Sequence, residues 1–196
     1  MHTNPLRGRR WLRAAAAAAV LPACWPFAAR AAAAPPAPVP TLEVTRYTGT
    51  WLQLAAIPQP FNLACARDTQ ADYTPTPDGL TVRNSCTTWL GTRDEITGTA
   101  RITDPATNAQ LGVSFRGESD PATNYIVTAL DPDYRWSVVV NPSRTAGFVL
   151  SRTPVPDAGQ WSAIRAGIDA AGMDPCLFLT SPVTGGFDGI EPLCAR

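Results

Sequence analysis

From Trp51 to Arg152 the chain is cut by turn residues into stretches of only six to ten residues. The cuts include Pro58-Gln59-Pro60, Pro75-Thr76-Pro77-Asp78-Gly79, Asp104 to Asn108, Gly117 to Thr123, Asp131-Pro132-Asp133 and Asn141-Pro142-Ser143-Arg144. Proline lacks the amide a ladder needs, and Gly, Asn and Asp supply turn backbone. The intervening stretches are Trp51 to Ile57, Asp68 to Thr74, Leu80 to Cys86, Asp94 to Thr103, Gln110 to Arg116, Asn124 to Leu130, Tyr134 to Val140 and Gly147 to Arg152. They are rich in β-branched and aromatic residues, and several alternate apolar with polar, as Leu111, Val113 and Phe115 do. Eight strands joined by tight turns suit an antiparallel meander, and a meander removes its edges by closing on itself. The expected fold is therefore all-β: an eight-stranded antiparallel up-and-down β-barrel, wide enough for side chains or one small ligand.

The pattern changes after Pro154 and Pro156. Asp157 can serve as a helix N-cap, Trp161, Ile164, Ile168 and Ala171 recur at helical spacing, and Gly172 closes the run. One C-terminal α-helix is expected, its apolar stripe packed on the barrel wall. Cys176 to Thr180 reads as a last short strand, and residues 181–196 as a Gly/Pro-rich tail.

Upstream of the strands lies an address. Arg7, Arg9, Arg10 and Arg13 precede an apolar run from Ala14 to Leu21, and small residues continue to Ala34. That is the pattern of a secretory signal, over residues 1–34; Arg9-Arg10 also fits a twin-arginine signal. The apolar run is too short to span a bilayer as a helix. Leu21-Pro22-Ala23-Cys24 resembles the lipobox of bacterial lipoproteins, in which a lipidated Cys24 would anchor the chain to a membrane. Cleavage near Ala31 to Ala34 is the alternative and would discard Cys24. Residues 35–42 then form a Pro-rich spacer, leaving 43–180 for the barrel and helix.

The chain beyond the signal excludes much by its composition. Its eleven arginines stand against sixteen acids, and there is no lysine, so it is acidic by five and a poor nucleic-acid binder. The one histidine, His2, lies in the signal. Ser-His-Asp and Cys-His catalysis, His-ligated zinc and His-ligated haem are thereby excluded. Cys65, Cys86, Cys176 and Cys194 make an even set in an exported chain, hence two disulfides with three possible connectivities. Folding the hairpin 68–86 about its turn brings Cys65 close to Cys86, so Cys65–Cys86 and Cys176–Cys194 are expected, the second pinning the tail.

Gly49-Thr50-Trp51 at the start of the first strand, Leu130-Asp131-Pro132-Asp133-Tyr134 between the sixth and seventh, and Leu150-Ser151-Arg152-Thr153-Pro154 after the eighth resemble, in order and spacing, the three sequence blocks of the lipocalins. The wording is most similar to the bacterial cell-envelope lipocalins and their apolipoprotein D relatives, over roughly residues 43–180. The resemblance implies that Arg152 packs over Trp51 and closes the barrel base, with Gly49, Trp51 and Arg152 structural. No cofactor and no metal are expected.

If Trp51 points inward, alternation places Gln53 and Ala55 on its face. Val82, Asn84, Phe115, Tyr125, Val127, Trp136, Val138 and Phe148 are the other expected inward residues. The ligand-binding set is Gln53, Val82, Asn84, Phe115, Tyr125, Trp136 and Phe148, a lining for an acyl chain or flat apolar molecule with a few polar anchors. The implied function is binding, storage or transport of a small hydrophobic ligand of the fatty-acid or lysophospholipid class in the cell envelope, the chain being exported to the periplasm or envelope, as an anchored lipoprotein if Cys24 is lipidated, or otherwise secreted. Two alternatives stand beside it. One is a lipocalin-type isomerase or de-epoxidase, which would need a free thiol at Cys65 or Cys86 or cavity carboxylates. The other is a filled barrel that binds a partner through Phe61-Asn62-Leu63 and Thr87-Thr88-Trp89-Leu90, residues that serve equally as a lip over the cavity. Oligomeric state is not legible in the sequence.

Overall fold

The computed structural model describes Met1 and residues 34–196, apart from Asp78, Ser119 and Asp120. The signal, the lipobox and Cys24 lie outside the described residues. The fold is that of the compact unit Ala33–Arg196.

A four-residue helix, α1 (Val44–Tyr47), leads into β1 (Gly49–Ala56). The next seven strands are β2 (Cys65–Thr76), β3 (Gly79–Thr88), β4 (Arg93–Ile102), β5 (Gln110–Ser114), β6 (Tyr125–Leu130), β7 (Trp136–Val140) and β8 (Gly147–Ser151). Each pairs antiparallel with the next, and β1 pairs with both β2 and β8, so the eight strands close into a barrel. A ninth strand, β9 (Leu179–Thr180), adds to β1 after α2 (Ala158–Ala170). The expected eight-stranded barrel with one C-terminal helix is what forms. Among the described residues no helix is long and apolar enough to cross a membrane.

Of the register shifts in the sheet, two lie beside residues expected inside. Pairing of β1 with β8 slips at Leu54, between Gln53↔Leu150 and Ala55↔Val149. Pairing of β6 with β7 slips between Val127↔Val139 and Ala129↔Val138. An extra residue turns everything beyond it to the other face. Ala55, expected inside, therefore joins the outer layer, and Ala56 opposite Phe148 takes the inward place.

The core accordingly has two layers. Inside the barrel lie Trp51, Tyr73, Leu80, Val82, Leu111, Tyr125, Val127, Val139 and Leu150. Outside, Leu54, Trp136, Val138, Val140 and Val149 meet Ile164, Ile168, Met173 and Phe178 beneath α2. Gly167 lets the helix lie directly on the wall: a Cβ there would come within 2.6 Å of the Ala129 Cβ. Asp157 caps α2, accepting from Gln160 N while the Gln160 side chain accepts from Asp157 N.

β1 and β2 pair only from Gly49↔Tyr73 to Leu52↔Gln70 and then part. The C-terminal segment fills the seam. Ser181 N donates to Leu54 O at 2.8 Å, Asp68 N donates to Pro182 O at 2.9 Å, and the Asp68 carboxylate accepts from Thr184 N and Oγ1. Cys176–Cys194 and Cys65–Cys86 are both formed, as expected from the strand map.

Candidate functional site

The base of the barrel is built from the residues around β1. Gly49 has φ +86°, a backbone open to glycine at little cost, and it turns the chain from α1 into the strand. Trp51 is fully buried, stacks on Tyr47 with centroids 4.8 Å apart, and donates Nε1–H to Tyr47 O at 2.8 Å. Arg152 lies 3.8 Å over the Trp51 ring. Its guanidinium also donates to Thr50 O (2.7 Å), Thr48 O (2.8 Å) and Arg46 O (2.9 Å). One side chain thus caps the ring and collects the carbonyls left unpaired where α1 becomes β1. The β6–β7 turn completes this end. Tyr134, at φ +60°, accepts Glu43 N on its hydroxyl, and Arg46 lies 4.1 Å over its ring. The Arg135 guanidinium chelates the Asp131 carboxylate and holds its pKa below the usual value.

Within the base, beside Trp51, sits a cluster of four hydroxyls. Tyr47 OH lies 2.7 Å from Tyr125 OH and 3.1 Å from Ser137 Oγ, and Tyr73 OH donates to Tyr125 OH at 2.9 Å. Burial pushes the Tyr47 hydroxyl up to about 12 and raises those of Tyr73 and Tyr125 further, so all stay neutral through the physiological range. Of these residues only Tyr125 belongs to the expected lining. The face of Tyr73 is legible from its alternation with Ala71. Tyr47 precedes the first strand and so has no strand periodicity to place it. Ser137 is hidden by the phase of its own strand.

The strand register places the remaining expected residues. Gln53, Val82, Asn84, Phe115, Tyr125 and Phe148 occupy inward positions. Asn84 stands in one row with Trp51, Ala71 and Ile96. Gln53, one row higher and 6% exposed, donates Nε2–H to Ser181 Oγ at 2.8 Å. Trp136 and Val138 do not face the interior. They lie in the outer layer under α2, while Ser137 and Val139 take the inward places. The segment Trp-Ser-Val-Val-Val is buried on both faces, so alternation could not choose its phase.

The opposite end of the barrel is the mouth. The loops β1–β2, β3–β4 and β7–β8 gather there: Gln59 Nε2 donates to Thr145 O, Trp89 Nε1 donates to Leu63 O at 2.8 Å, and Phe61 stacks near Phe148. Phe61, Leu63, Trp89 and Leu90 are all more than half exposed, an apolar rim held by the Cys65–Cys86 disulfide. Two shallow clefts of about 260 and 320 Å³ lie elsewhere, beside Gly117 at the start of the β5–β6 loop, with Thr81, Thr97, Thr99 and Ser114 among their walls. Phe115 is also among the walls of the first, and Leu80, Ala100, Arg101 and Glu118 are among those of the second. Among the described residues no cluster of His, Cys, Asp and Glu could hold a metal.

A family model for the lipocalin-like domain matches residues 42–182. The chain belongs to the lipocalin family. The three blocks read from the sequence thus coincide with a lipocalin base of Trp51, Arg152 and the β6–β7 turn. Among curated lipocalins, temperature-induced lipocalin-1 of Arabidopsis thaliana is 39% identical over 119 residues, 57% of this chain and 63% of that protein. Outer membrane lipoprotein Blc of Escherichia coli is 36% identical over 118 residues, 59% of this chain and 65% of its own length. The chain thus spans less than two thirds of the length of either. Among solved lipocalin structures, insecticyanin of the tobacco hornworm Manduca sexta superposes with a TM-score of 0.58 at 18% identity, covering 74% of this chain and 82% of that one. Lobster apocrustacyanin A1 gives 0.55 at 13%, covering 76% and 90%. These two are likenesses of fold. Lipocalins as a family bind small hydrophobic ligands.

Proposed function

We propose that this lipocalin binds a lipid of the fatty-acid or lysophospholipid class inside its barrel, as a carrier in the cell envelope. The observation that carries the reading is the uncharged inner wall beneath an apolar rim. The row of Trp51, Ala71, Asn84 and Ile96 is apolar or amide, Tyr47, Tyr73, Tyr125 and Ser137 add hydroxyls only, and the rim exposes Phe61, Leu63, Trp89 and Leu90. Burying an acyl chain against such a wall gains about 25 cal/mol per Å² of apolar surface. Gln53, Val82, Asn84, Phe115, Tyr125 and Phe148 would line the chain. The envelope reading rests on the amino-terminal export pattern and on the likeness to an outer membrane lipoprotein. The catalytic alternative loses its thiol, since Cys65 and Cys86 are joined.

The test is to strip the purified protein of lipid and titrate long-chain fatty acids and lysophospholipids by calorimetry. Stoichiometric binding in the low micromolar range is expected. Absence of binding below about 100 μM for every member of both classes would sink the proposal.

A further inference from the structure

The two ends of the barrel differ in charge. The mouth loops, residues 57–64, 87–92 and 141–146, contain no acid and a single arginine, Arg144. The base gathers Glu43, Arg46, Asp131, Asp133 and Arg135. In place of charge the mouth exposes Phe61, Leu63, Trp89 and Leu90 together, and the nearest charges on that hairpin, Arg93, Asp94 and Glu95, begin on β4 behind its tip. Apolar residues gathered on one edge mark a contact surface, which scattered ones do not.

The polar groups of these loops are spent on one another. At the β3–β4 tip Thr88 N donates to Thr92 O at 2.8 Å and Gly91 N donates to Thr88 O at 2.9 Å. Leu90 N donates to Thr88 Oγ1, which also meets Thr92 Oγ1 at 2.8 Å. In the β1–β2 loop Gln59 N donates to Asn62 Oδ1, and Asn62 N donates to Gln59 O. Trp89 Nε1 donates across to Leu63 O, joining the two loops into one apolar edge. An N–H that already has an acceptor loses far less on leaving water than a bare one. Water would satisfy such loops without this pairing; an apolar medium would not.

The chain also enters the fold at this end. The Arg144 guanidinium donates from Nη1 to Ala34 O and from Nε to Ala171 O, each at 2.9 Å. From there the spacer runs along the wall: Pro36 is buried, Val39 N donates to Val127 O, Leu42 N donates to Thr107 O, and Glu43 N donates to the Tyr134 hydroxyl at the base. Ala34 to Leu42 covers about 25 Å at polyproline spacing. Cys24, the residue a lipoprotein signal would lipidate, precedes Ala34 by ten residues. That length reaches about 35 Å at full extension. A bilayer at the mouth needs little of it; a bilayer at the base needs it to cover the length of the spacer first.

We propose that Phe61, Leu63, Trp89 and Leu90 form a docking surface for a lipid bilayer, which seats the barrel with its mouth against the membrane. The surface is uncharged, its amides are already paired, and the amino-terminal end of the domain lies beside it. Beyond the signal the chain is acidic, eleven arginines against sixteen acids, so the attraction is apolar and anionic lipid adds nothing to it. The docking stands whichever lipid the barrel holds, and titration without vesicles tests that separate reading.

The experiment takes the processed protein from its own envelope and compares amide exchange free and on unilamellar vesicles of palmitoyl-oleoyl phosphatidylcholine, with and without added phosphatidylglycerol. Exchange should slow at least about fivefold at residues 61–64 and 87–92, equally on both vesicles, and change less than about twofold at 43–47 and 131–135. Leu63→Ser combined with Leu90→Ser alters two exposed positions and leaves the core intact. It should abolish the slowing even where a lipid on Cys24 keeps the protein on the vesicle, and where the amino terminus is free it should weaken vesicle binding at least about tenfold. Slowing at the base, slowing nowhere, or slowing that persists in the double variant overturns the proposal. So does slowing confined to the anionic vesicles, which would make the contact one of charge. Slowing that appears without vesicles as protein concentration rises assigns the surface to a second copy of the chain and overturns it too.

Discussion

Arg152 concentrates several tasks in one side chain. It lies over Trp51, satisfies three carbonyls of the α1–β1 turn, and stands 3.5 Å from where a Cβ on Gly49 would be. Arg152→Ala should cost about 2–4 kcal/mol in urea unfolding, since hydrogen bonds from a charged donor and a cation–π contact are lost together. Arg152→Lys should recover less than half of that, because one ammonium cannot span carbonyls on residues 46, 48 and 50. Lipid affinity should be unchanged in either variant. The hydroxyl cluster makes a prediction of the opposite kind, in pH. Burial raises the tyrosine pKa values in the folded protein above their unfolded value, so the unfolded chain ionises first. Stability is complete below about pH 10 and falls as pH rises past it, by up to about 1.4 kcal/mol per pH unit for each tyrosine. Alkaline urea titrations should show Tyr47→Phe with a shallower fall than the wild type; an identical slope would show that Tyr47 is not buried in this way.

At the scale of elements, the weak point of the wall is the seam where β1 leaves β2, and the C-terminal segment is what covers it. Residues 181–184 bond to Leu54 and Asp68, Arg67 pairs with Asp188, and Cys176–Cys194 secures the loop. Replacing both cysteines by serine should cost about 2–4 kcal/mol, the usual worth of a bridge across a loop of this size. Amide exchange should quicken at residues 66–70 and 181–184 before it does elsewhere in the barrel. Uniform exchange across all strands would show that the segment does not hold the seam. This part of the fold is only half legible in the sequence. The spacing of Cys176 and Cys194 shows that the tail is pinned, but no periodicity marks a segment whose partners are the edges of two strands far away in sequence. The strands themselves are legible because turn residues bound them and, for most, one face is more polar. Trp136 and Val138 are misplaced by alternation for want of that contrast, and Ala55 because a bulge at Leu54 carries no composition of its own. Gln53 and Asn84 fall on the inner face as alternation expects, since Trp51 and Val82 fix the phase of their strands, yet nothing in the sequence says that the Asn84 carbonyl oxygen is left without a donor among the described residues.

Taken whole, the molecule has one end that is tied shut and one that is not. Guanidiniums, an indole and a buried aspartate bind α1 and the β6–β7 turn into the base, whereas the mouth is held by one disulfide and a few loop contacts. Its four described tryptophans are distributed along the same polarity. Trp51 is fully buried and Trp136 nearly so, Trp161 is half-covered on α2, and Trp89 is 66% exposed at the rim. The protein therefore carries its own optical gauge of what passes the mouth. Acrylamide should reach Trp89 first, and a bound lipid should shield that one emitter and shift the long-wavelength edge of the spectrum to the blue, leaving the contribution from Trp51 at the base unmoved.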